Sequence, residues 1–419
     1  MGARFPNPGS APLDTESTMN ILAKPLATLA LTCAALPLAA QPQAPIKIGF
    51  AIAESGWMTA YDGPPHKAAM LKIEELNRQG GLLGRRIETL VADTKSEREQ
   101  GAKAGESLVA QGVDLLVVSS DYDYGAPAAL AARKASKLAF SLGAGDPKMG
   151  PLGVGPHVFT PNLAAQVEGI TMAEWAYKQK GLRRAYVLED QSIEYSKSGC
   201  AGFRAGWTRL AGAAGIAGSD SFKNADASIA SQISRLRALS PAPDAIYLCT
   251  YNPGGASAIR QLRAAGIALP ILANVGMTDA YWLSAVPQLS DFYVPTYMSI
   301  FGDDPRPAIG SFLAAFTQRY GARPESAYAV LGYSMVEQWA IAVQRAGSTA
   351  AAAVTAELEK FREEALTIGP TSYSRELHIQ VDRPLLIMEV QNGKNRAIEV
   401  WRNALIPSTQ LLFRMAAKP

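Results

Sequence analysis

Histidine and cysteine are scarce in this sequence of 419 residues, which contains three of each. The three histidines lie far apart and lack the spacing typical of metal ligands, which argues against a zinc site. After the first 40 residues only Cys200 and Cys249 remain, too few for a disulfide framework. The sequence leaves open whether they form one bridge or lie buried as free thiols, which we favour.

Long apolar runs and an excess of one charge are also missing. No stretch of about 20 apolar residues follows Ile46, so nothing beyond that point spans a membrane. Charged residues make up 18% of the chain and the net charge is +3, which argues against a nucleic-acid partner, because such a partner requires a dense basic surface. The length allows two domains.

Catalytic motifs are missing as well. The sequence has no G-x-S-x-G elbow, no G-x-x-x-x-G-K-[ST] loop and no H-E-x-x-H pair. The glycine-rich stretches at 143–145 and 153–156 do not follow the first strand in a GxGxxG register, so they do not open a dinucleotide-binding fold. We therefore predict a protein that is not an enzyme and that carries no cofactor and no metal.

The N-terminus contains the only segment typical of targeting. Met19 to about Ala40 has one lysine, an apolar run and a small-residue end, which predicts a secretory signal peptide and a periplasmic location. The 18 residues before it are polar and indicate an over-long gene start. A membrane anchor, or a lipoprotein modified at Cys33, is the less favoured alternative.

The stretch Ile46 to Thr94 shows how the rest of the chain is built. A short apolar run is followed by a loop, by helical spacing over Pro65 to Asn77 and by a second strand ending at Asp93. This order predicts a βαβ unit with parallel strands. Ligands bind beyond the carboxyl ends of such strands, so the loop Glu54 to Pro64 is the first candidate site.

Further candidate residues follow later strands of both predicted halves. Two carboxylates and two phenols follow the strand at 113–120, and a small-residue turn follows the next strand. Candidates in the second half lie after its own strands, and the stretch 377–401 alternates like strands around a hairpin turn at Asn392. The predicted ligand-binding residues are Ser55, Trp57, Asp121, Tyr122, Asp123, Tyr124, Gly143, Ala144, Gly145, Tyr195, Tyr251, Val275 and Asp279.

The opening stretch also carries a family resemblance. The residues that carry it are Asn77, Gly80, Gly81, Gly84, Arg85 and Asp93. With them the chain resembles the type I periplasmic solute-binding proteins of the branched-chain amino acid group, from Ile46 to about Trp401.

The resemblance implies an α/β fold of two lobes, each a mostly parallel sheet flanked by helices, joined by three interlobe crossings. Residues 46–162 and 297–370 would form lobe one, and 163–296 and 371–419 lobe two. It also implies a monomeric receptor that closes its cleft on a small solute and delivers it to the permease subunits of an ABC importer. A sensory protein that docks on a membrane receptor is the alternative, and a secreted hydrolase is a weaker one.

The sequence departs from the family pattern for α-amino acids in three places. Aligning the start of a helix places Tyr122, Asp123 or Tyr124 where the family has a carboxylate-binding serine. Gly145 falls where a hydroxyl residue is usual, and Val275 falls where the acid that binds the ammonium group is expected. We therefore expect a ligand that is not an ordinary branched-chain amino acid but an amide, an amine or an aromatic compound.

Overall fold

The computed structural model of the protein describes residues 44–415. The predicted signal peptide and Cys33 lie outside the described residues. In chain order the helices are α1 (Thr59–Arg78), α2 (Arg98–Ala110), α3 (Tyr122–Lys134), α4 (Ala165–Gln179), α5 (Glu194–Ala211), α6 (Ala230–Arg237), α7 (Gly254–Ala264), α8 (Pro307–Tyr320), α9 (Ala329–Ala346), α10 (Ala351–Leu358) and α11 (Thr409–Leu412).

The first sheet is five-stranded and wholly parallel, with the order β2-β1-β3-β4-β5. Its strands are β1 (Ile46–Ile52), β2 (Ile87–Asp93), β3 (Leu115–Val118), β4 (Leu138–Ser141) and β5 (Val158–Phe159). The central strands β3 and β4 are buried along their full length, because α1, α9 and α10 cover one face and α2 and α3 cover the other. Burial on both faces explains their continuous apolar sequences.

The second sheet is seven-stranded, with the order β14-β13-β10-β9-β8-β6-β7. Its strands are β6 (Ala185–Asp190), β7 (Ile216–Phe222), β8 (Ala245–Cys249), β9 (Ile271–Ala273), β10 (Phe292–Thr296), β13 (Leu385–Gln391) and β14 (Lys394–Trp401). Strand β13 runs antiparallel to both of its neighbours, β10 and β14, and the remaining pairs are parallel. Its turn residues Asn392 and Gly393 both have positive φ, as the predicted hairpin turn requires. A small separate hairpin pairs β11 (Glu364–Leu366) with β12 (Gly369–Thr371).

Three segments cross between the two sheets, at 160–164, 297–306 and 372–384. The first and third pair with each other, since the Gln380 N–H donates to the Asn162 carbonyl over 3.0 Å. The buried guanidinium of Arg383 donates to the carbonyls of Pro161 (2.8 Å) and Pro370 (3.1 Å). Burial lowers the pKa of Arg383 to about 10. The predicted two-lobed α/β fold is confirmed.

Helix α1 begins at Thr59, six residues earlier than predicted from the prolines. Pro65 has no N–H to donate to the Tyr61 carbonyl four residues earlier. The Ser120 hydroxyl donates to that carbonyl instead, over 3.0 Å. The predicted loop therefore ends earlier than Pro64, and Tyr61, which the prediction placed in that loop, lies in the first turn of the helix.

The two cysteines of the second half are joined in a disulfide. Cys200 of α5 and Cys249 at the end of β8 have Cα atoms 5.7 Å apart. The favoured prediction of two free thiols was wrong, because the packing of α5 against β8 brings both into one buried cluster.

The part of the chain from residue 44 to residue 415 contains no group of three or more His, Cys, Asp or Glu side chains that could hold a metal ion. None of its helices combines the length and apolar character needed to cross a bilayer.

Candidate functional site

A cavity lies where the carboxyl ends of the strands of both sheets meet. This is where ligands bind in open α/β sheets. The space in the cavity that the centre of a water-sized sphere can occupy has a volume of about 30 Å³. This is room for about two water molecules. Its lining is formed by Trp57, Met58, Tyr61, Ser120, Asp121, Gly143, Ile193, Tyr195, Tyr251, Gly276 and Tyr328.

The first turn of α1 is fixed to the first sheet by a buried carboxylate. Asp62 accepts hydrogen bonds from the backbone N–H groups of Ala53 (2.8 Å) and Ser120 (2.7 Å), which follow β1 and β3. Burial raises the pKa of Asp62, and these hydrogen bonds partly offset the rise. The same turn carries Tyr61 into the cavity lining, and Trp57 lies just before it.

Asp121 is the N-cap of α3 and, among the described residues, supplies the one carboxyl group of the cavity lining. Its side chain accepts the N–H of Asp123 over 2.8 Å, and this cap starts α3 at Tyr122. Only 6% of Asp121 is exposed. Burial, followed by repulsion from Asp123, raises the pKa of this carboxyl well above its usual range.

Tyr195 links the cavity to a buried acid in lobe two. Its ring lines the cavity from the first turn of α5, while its hydroxyl donates to Glu168 over 2.7 Å. The hydroxyl also accepts the Gly276 N–H over 2.8 Å. Glu168 further accepts the Val275 N–H (3.1 Å) and the Tyr297 hydroxyl (3.3 Å). Burial raises the pKa of Glu168 to about 7, although the three hydrogen bonds oppose the rise.

The small-residue turn after β4 does not present its amides to the cavity. The N–H groups of Gly143 (3.2 Å) and Ala144 (2.9 Å) both donate to the Ser141 hydroxyl. A Cβ atom at Gly145 would lie 3.0 Å from the Tyr195 ring, so glycine lets that ring pack closely against the turn. The turn shapes the cavity, and its amides are engaged inside lobe one.

The two lobes contact each other directly across the cavity. The Tyr61 hydroxyl, from lobe one, accepts the Asn252 N–H over 2.9 Å and donates to the Gly276 carbonyl over 3.3 Å. The rings of Trp57 and Tyr251 have centroids 5.0 Å apart. Aromatic and backbone groups thus close the cleft around the cavity.

A rim of charged residues surrounds the mouth of the cleft. Asp123 of lobe one accepts the Glu194 N–H of lobe two over 2.9 Å and pairs with Arg98 over 3.2 Å. The Glu194 carboxylate pairs with Lys148 over 2.5 Å and also with Arg414. Burial by itself raises the pKa of Glu194, but Lys148, Lys197 and Arg414 together lower it to about 2.

Some of the predicted site residues lie in the lining and others do not. Trp57, Asp121, Gly143, Tyr195 and Tyr251 lie together around the cavity, as the strand-end argument predicts. Tyr124 lies one layer out, with its ring centroid 5.2 Å from that of Trp57.

The remaining predicted residues have other partners. Ser55 is exposed and donates to Asp93 over 2.6 Å. Tyr122 lies beside the Lys148 ammonium group at 5.8 Å. The Val275 N–H faces Glu168, and Asp279 accepts the Ala327 N–H over 2.9 Å. These residues, with Asp123, Ala144 and Gly145, do not line the cavity in the described part of the chain.

Several lining residues were not predicted from the sequence. Tyr61 was missed because the prolines after it suggested a loop. Tyr328 comes from the start of α9, far along the chain, and no local pattern marks it. Glu168, behind Tyr195, did carry a signal, since it is an acid in the otherwise apolar start of α4.

Comparison with known proteins identifies the family. Residues 45–395 match the family model described as periplasmic binding protein. The chain is 24% identical over 348 residues to the Leu/Ile/Val-binding protein BraC3 of Rhizobium johnstonii, which covers 83% of this chain and 91% of the relative.

Two solved structures illustrate the fold. The branched-chain amino acid substrate-binding protein LivJ of Streptococcus pneumoniae, in complex with isoleucine, has a TM-score of 0.74 and 25% identity, covering 85% of this chain and 99% of that one. A solute-binding protein of an ABC transporter from R. palustris, in complex with benzoate, has a TM-score of 0.70 and 20% identity, covering 87% and 98%. The match over residues 45–395, the two lobes and the cleft between them show that this chain belongs to the periplasmic binding protein family, as its resemblance to the type I group predicted.

Proposed function

We propose that the chain is a periplasmic receptor that delivers a small amide, amine or aromatic solute to the permease subunits of an ABC importer. In this proposal a signal peptide at Met19 to about Ala40 directs export, and the mature protein is a monomer. Lobe one comprises 46–162 and 297–370, and lobe two comprises 163–296 and 371–419. Closure about the crossings traps the solute.

The chemistry of the cavity lining carries the proposal. In the described part of the chain the lining contains five aromatic residues and one ionisable acid, Asp121, and no lysine, arginine or histidine. Such walls suit a ligand with an apolar or aromatic body and a group that can bond to a carboxyl.

The same lining argues against an ordinary branched-chain amino acid. A ligand carboxylate needs free hydrogen-bond donors, but the N–H groups of Ser120, Gly143 and Gly276 donate to protein acceptors. Facing an ionised Asp121 at about 4 Å, a carboxylate would cost about 4 kcal/mol at an effective dielectric constant of about 20. The position expected to hold the ammonium partner is Val275, whose side chain has no charge.

The relatives support a role in solute binding but bind different ligands. The S. pneumoniae protein is complexed with isoleucine and the R. palustris protein with benzoate. Proteins with this fold therefore accept both aliphatic and aromatic solutes, and the lining decides between them.

A ligand screen with the mature protein, from residue 41, tests the proposed function. We expect amides, amines or aromatic compounds to raise the melting temperature, because a ligand at about a hundredfold excess over its Kd adds about 2.7 kcal/mol of stability. Leucine and isoleucine are the matched comparison and should give no shift. Tight leucine binding in a calorimetric titration would contradict the proposed ligand class.

A further inference from the structure

The walls of the cavity are aromatic on both lobes. Trp57, Tyr61 and Tyr328 come from lobe one, and Tyr195 and Tyr251 from lobe two. The ring centroids of Trp57 and Tyr61 are 6.2 Å apart, and those of Tyr61 and Tyr328 are 5.5 Å apart. Because Trp57 also contacts Tyr251, four of the five rings form one connected group. We call the five rings together the aromatic cage.

Two of the four tyrosine hydroxyls of this cage are engaged by the protein. The Tyr61 hydroxyl bonds to Asn252 and Gly276, and the Tyr195 hydroxyl bonds to Glu168 and Gly276. These two residues therefore present mainly ring carbons to a ligand. Electron-rich ring faces attract a cation within about 6 Å of the ring centroid.

In the described part of the chain, the one carboxyl group that lines the cavity beside the cage is that of Asp121. At the helix cap the Asp121 carboxyl accepts the N–H of Asp123 over 2.8 Å. A carboxylate has about four lone-pair sites, so this group retains acceptor capacity toward the cavity. The cation Arg98 lies outside the lining, where it pairs with Asp123 and stacks on Tyr124. A positive ligand would meet aromatic faces and a carboxylate, with no competing cation in the lining.

We propose that the solute is a small organic ammonium ion with a methylated nitrogen, held against the aromatic cage with Asp121 as its counter-ion. This inference rests on the receptor function proposed above and names its ligand class. A primary ammonium group would need about three hydrogen-bond acceptors, and the lining offers one ionisable acceptor. A trimethylated nitrogen needs none, because the rings stabilise it through cation–π attraction.

In the closed cleft the cavity is too narrow for the proposed ligand to enter. Trp57 and Tyr251 have centroids 5.0 Å apart, too close to hold a methylated nitrogen between them. The cation must enter while the lobes are apart, and the rings then close on it to a wider spacing. Opening about the crossings supplies that movement.

Calorimetric titration of the mature chain with choline tests the proposal. The matched control is its neutral isostere dimethylbutanol, in which carbon replaces the charged nitrogen. We expect choline to bind at least about tenfold more tightly than the isostere, because shape is conserved and only the charge differs. Equal binding of the two, or no binding of choline and tetramethylammonium, would overturn the inference.

Two variants locate the effect at Asp121. Asp121→Asn keeps a good N-cap for α3 and should weaken choline binding about tenfold or more. Asp114→Asn, at the other end of β3, also removes a carboxylate that accepts a backbone N–H and should leave choline binding unchanged. Equal losses in both variants would overturn the role of Asp121.

The failure of this inference can be told apart from failure of the receptor function. If benzamide or benzoate binds and choline does not, the proposed receptor function stands, and the proposal that the solute is a methylated ammonium ion is wrong. The pH dependence gives a second criterion, because Asp121 must lose its proton to act as counter-ion. Choline should then bind more tightly as the pH rises, with Asp123, Asp146, Tyr124 and Tyr251 as the ionisable groups that face Asp121. Tighter choline binding as the pH falls would contradict the proposal.

Discussion

The floor and the rim of the cleft hold their carboxyl groups in opposite ways. We call Glu168, which lies behind Tyr195, the floor acid of the cleft. It is bonded to two tyrosine hydroxyls and one backbone N–H, and burial raises its pKa to about 7. At the rim, Glu194 is paired with Lys148 and Arg414, and these cations lower its pKa to about 2 in spite of its burial.

The difference separates two tasks within one cleft. The rim charges are balanced within the protein, so they hold the lobes together and have little charge left for a ligand. The floor acid, Glu168, has neutral partners, so its charge state changes with pH or with a nearby cation. Burial without a cationic partner moves the pKa of a carboxyl up toward neutrality, whereas ion pairs keep the carboxyl ionised.

Replacing the floor acid should give the largest change. The pKa of Glu168 is raised from its ordinary 4.5 to about 7, so its contribution is fully present below about pH 4.5 and lost as the pH rises through about 7. Glu168→Gln removes this loss and should raise the free energy of unfolding by about 3 kcal/mol at about pH 8, and by little at about pH 4. Urea denaturation across this pH range measures the difference.

The control for this variant is Glu106→Gln, at an exposed glutamate of α2. It should follow the wild-type pH profile. Part of the slope should remain in Glu168→Gln, because burial also raises the pKa of Asp279 to about 7. If the free energy of unfolding of Glu168→Gln changed with pH as it does in the wild type, ionisation of Glu168 would cost the folded protein no stability.

Replacing the rim acid should give a smaller effect of opposite sign. The depressed pKa of Glu194 means that its contribution is present above about pH 4.5 and is lost as the pH falls through about 2. Glu194→Gln should therefore lower the free energy of unfolding at about pH 7, by about 1 to 2 kcal/mol after allowance for solvent screening. The loss should shrink in high salt, because salt screens exposed pairs. A salt-independent loss would contradict the ion-pair account.

The smallest effect is expected at Asp123, which joins the lobes through one backbone N–H. Asp123→Ala leaves the Glu194 N–H without its acceptor, at a cost of about 1 kcal/mol. Small-angle scattering should then detect a larger average radius of gyration as the lobes part. Asp114→Ala also deletes an acceptor of a backbone N–H, but within lobe one, so it should lower stability and leave the radius unchanged. An unchanged radius in Asp123→Ala would show that this bond does not hold the cleft closed.

The sequence was sufficient for the fold and for about half of the lining. Parallel strands place their carboxyl ends at one edge, so Trp57, Asp121, Tyr195 and Tyr251 could be predicted from strand order alone. Tyr61 lay in the predicted loop but was not named, because the two prolines concealed the helical turn that directs its side chain into the cleft. The Ser120 hydroxyl that bonds to the Tyr61 carbonyl in this turn is distant in the sequence.

The partners of the acids were beyond sequence reasoning. Asp121 and Asp123 are two residues apart and look equivalent in the sequence. The start of α3 between them directs Asp121 into the cavity and Asp123 toward lobe two. The pairing of Cys200 with Cys249 likewise depends on the contact between α5 and β8, which no local pattern encodes.

The bonds that join Tyr61 and Asp123 to the opposite lobe have a kinetic consequence. They involve only protein groups, so they must break each time the cleft opens, whether solute enters or leaves. Because they stabilise an occupied and an unoccupied closed cleft equally, they leave the dissociation constant unchanged as long as both forms are closed. They slow association and dissociation by the same factor. The bonds between the lobes therefore set how long a solute stays, and the cavity lining decides which solute it is.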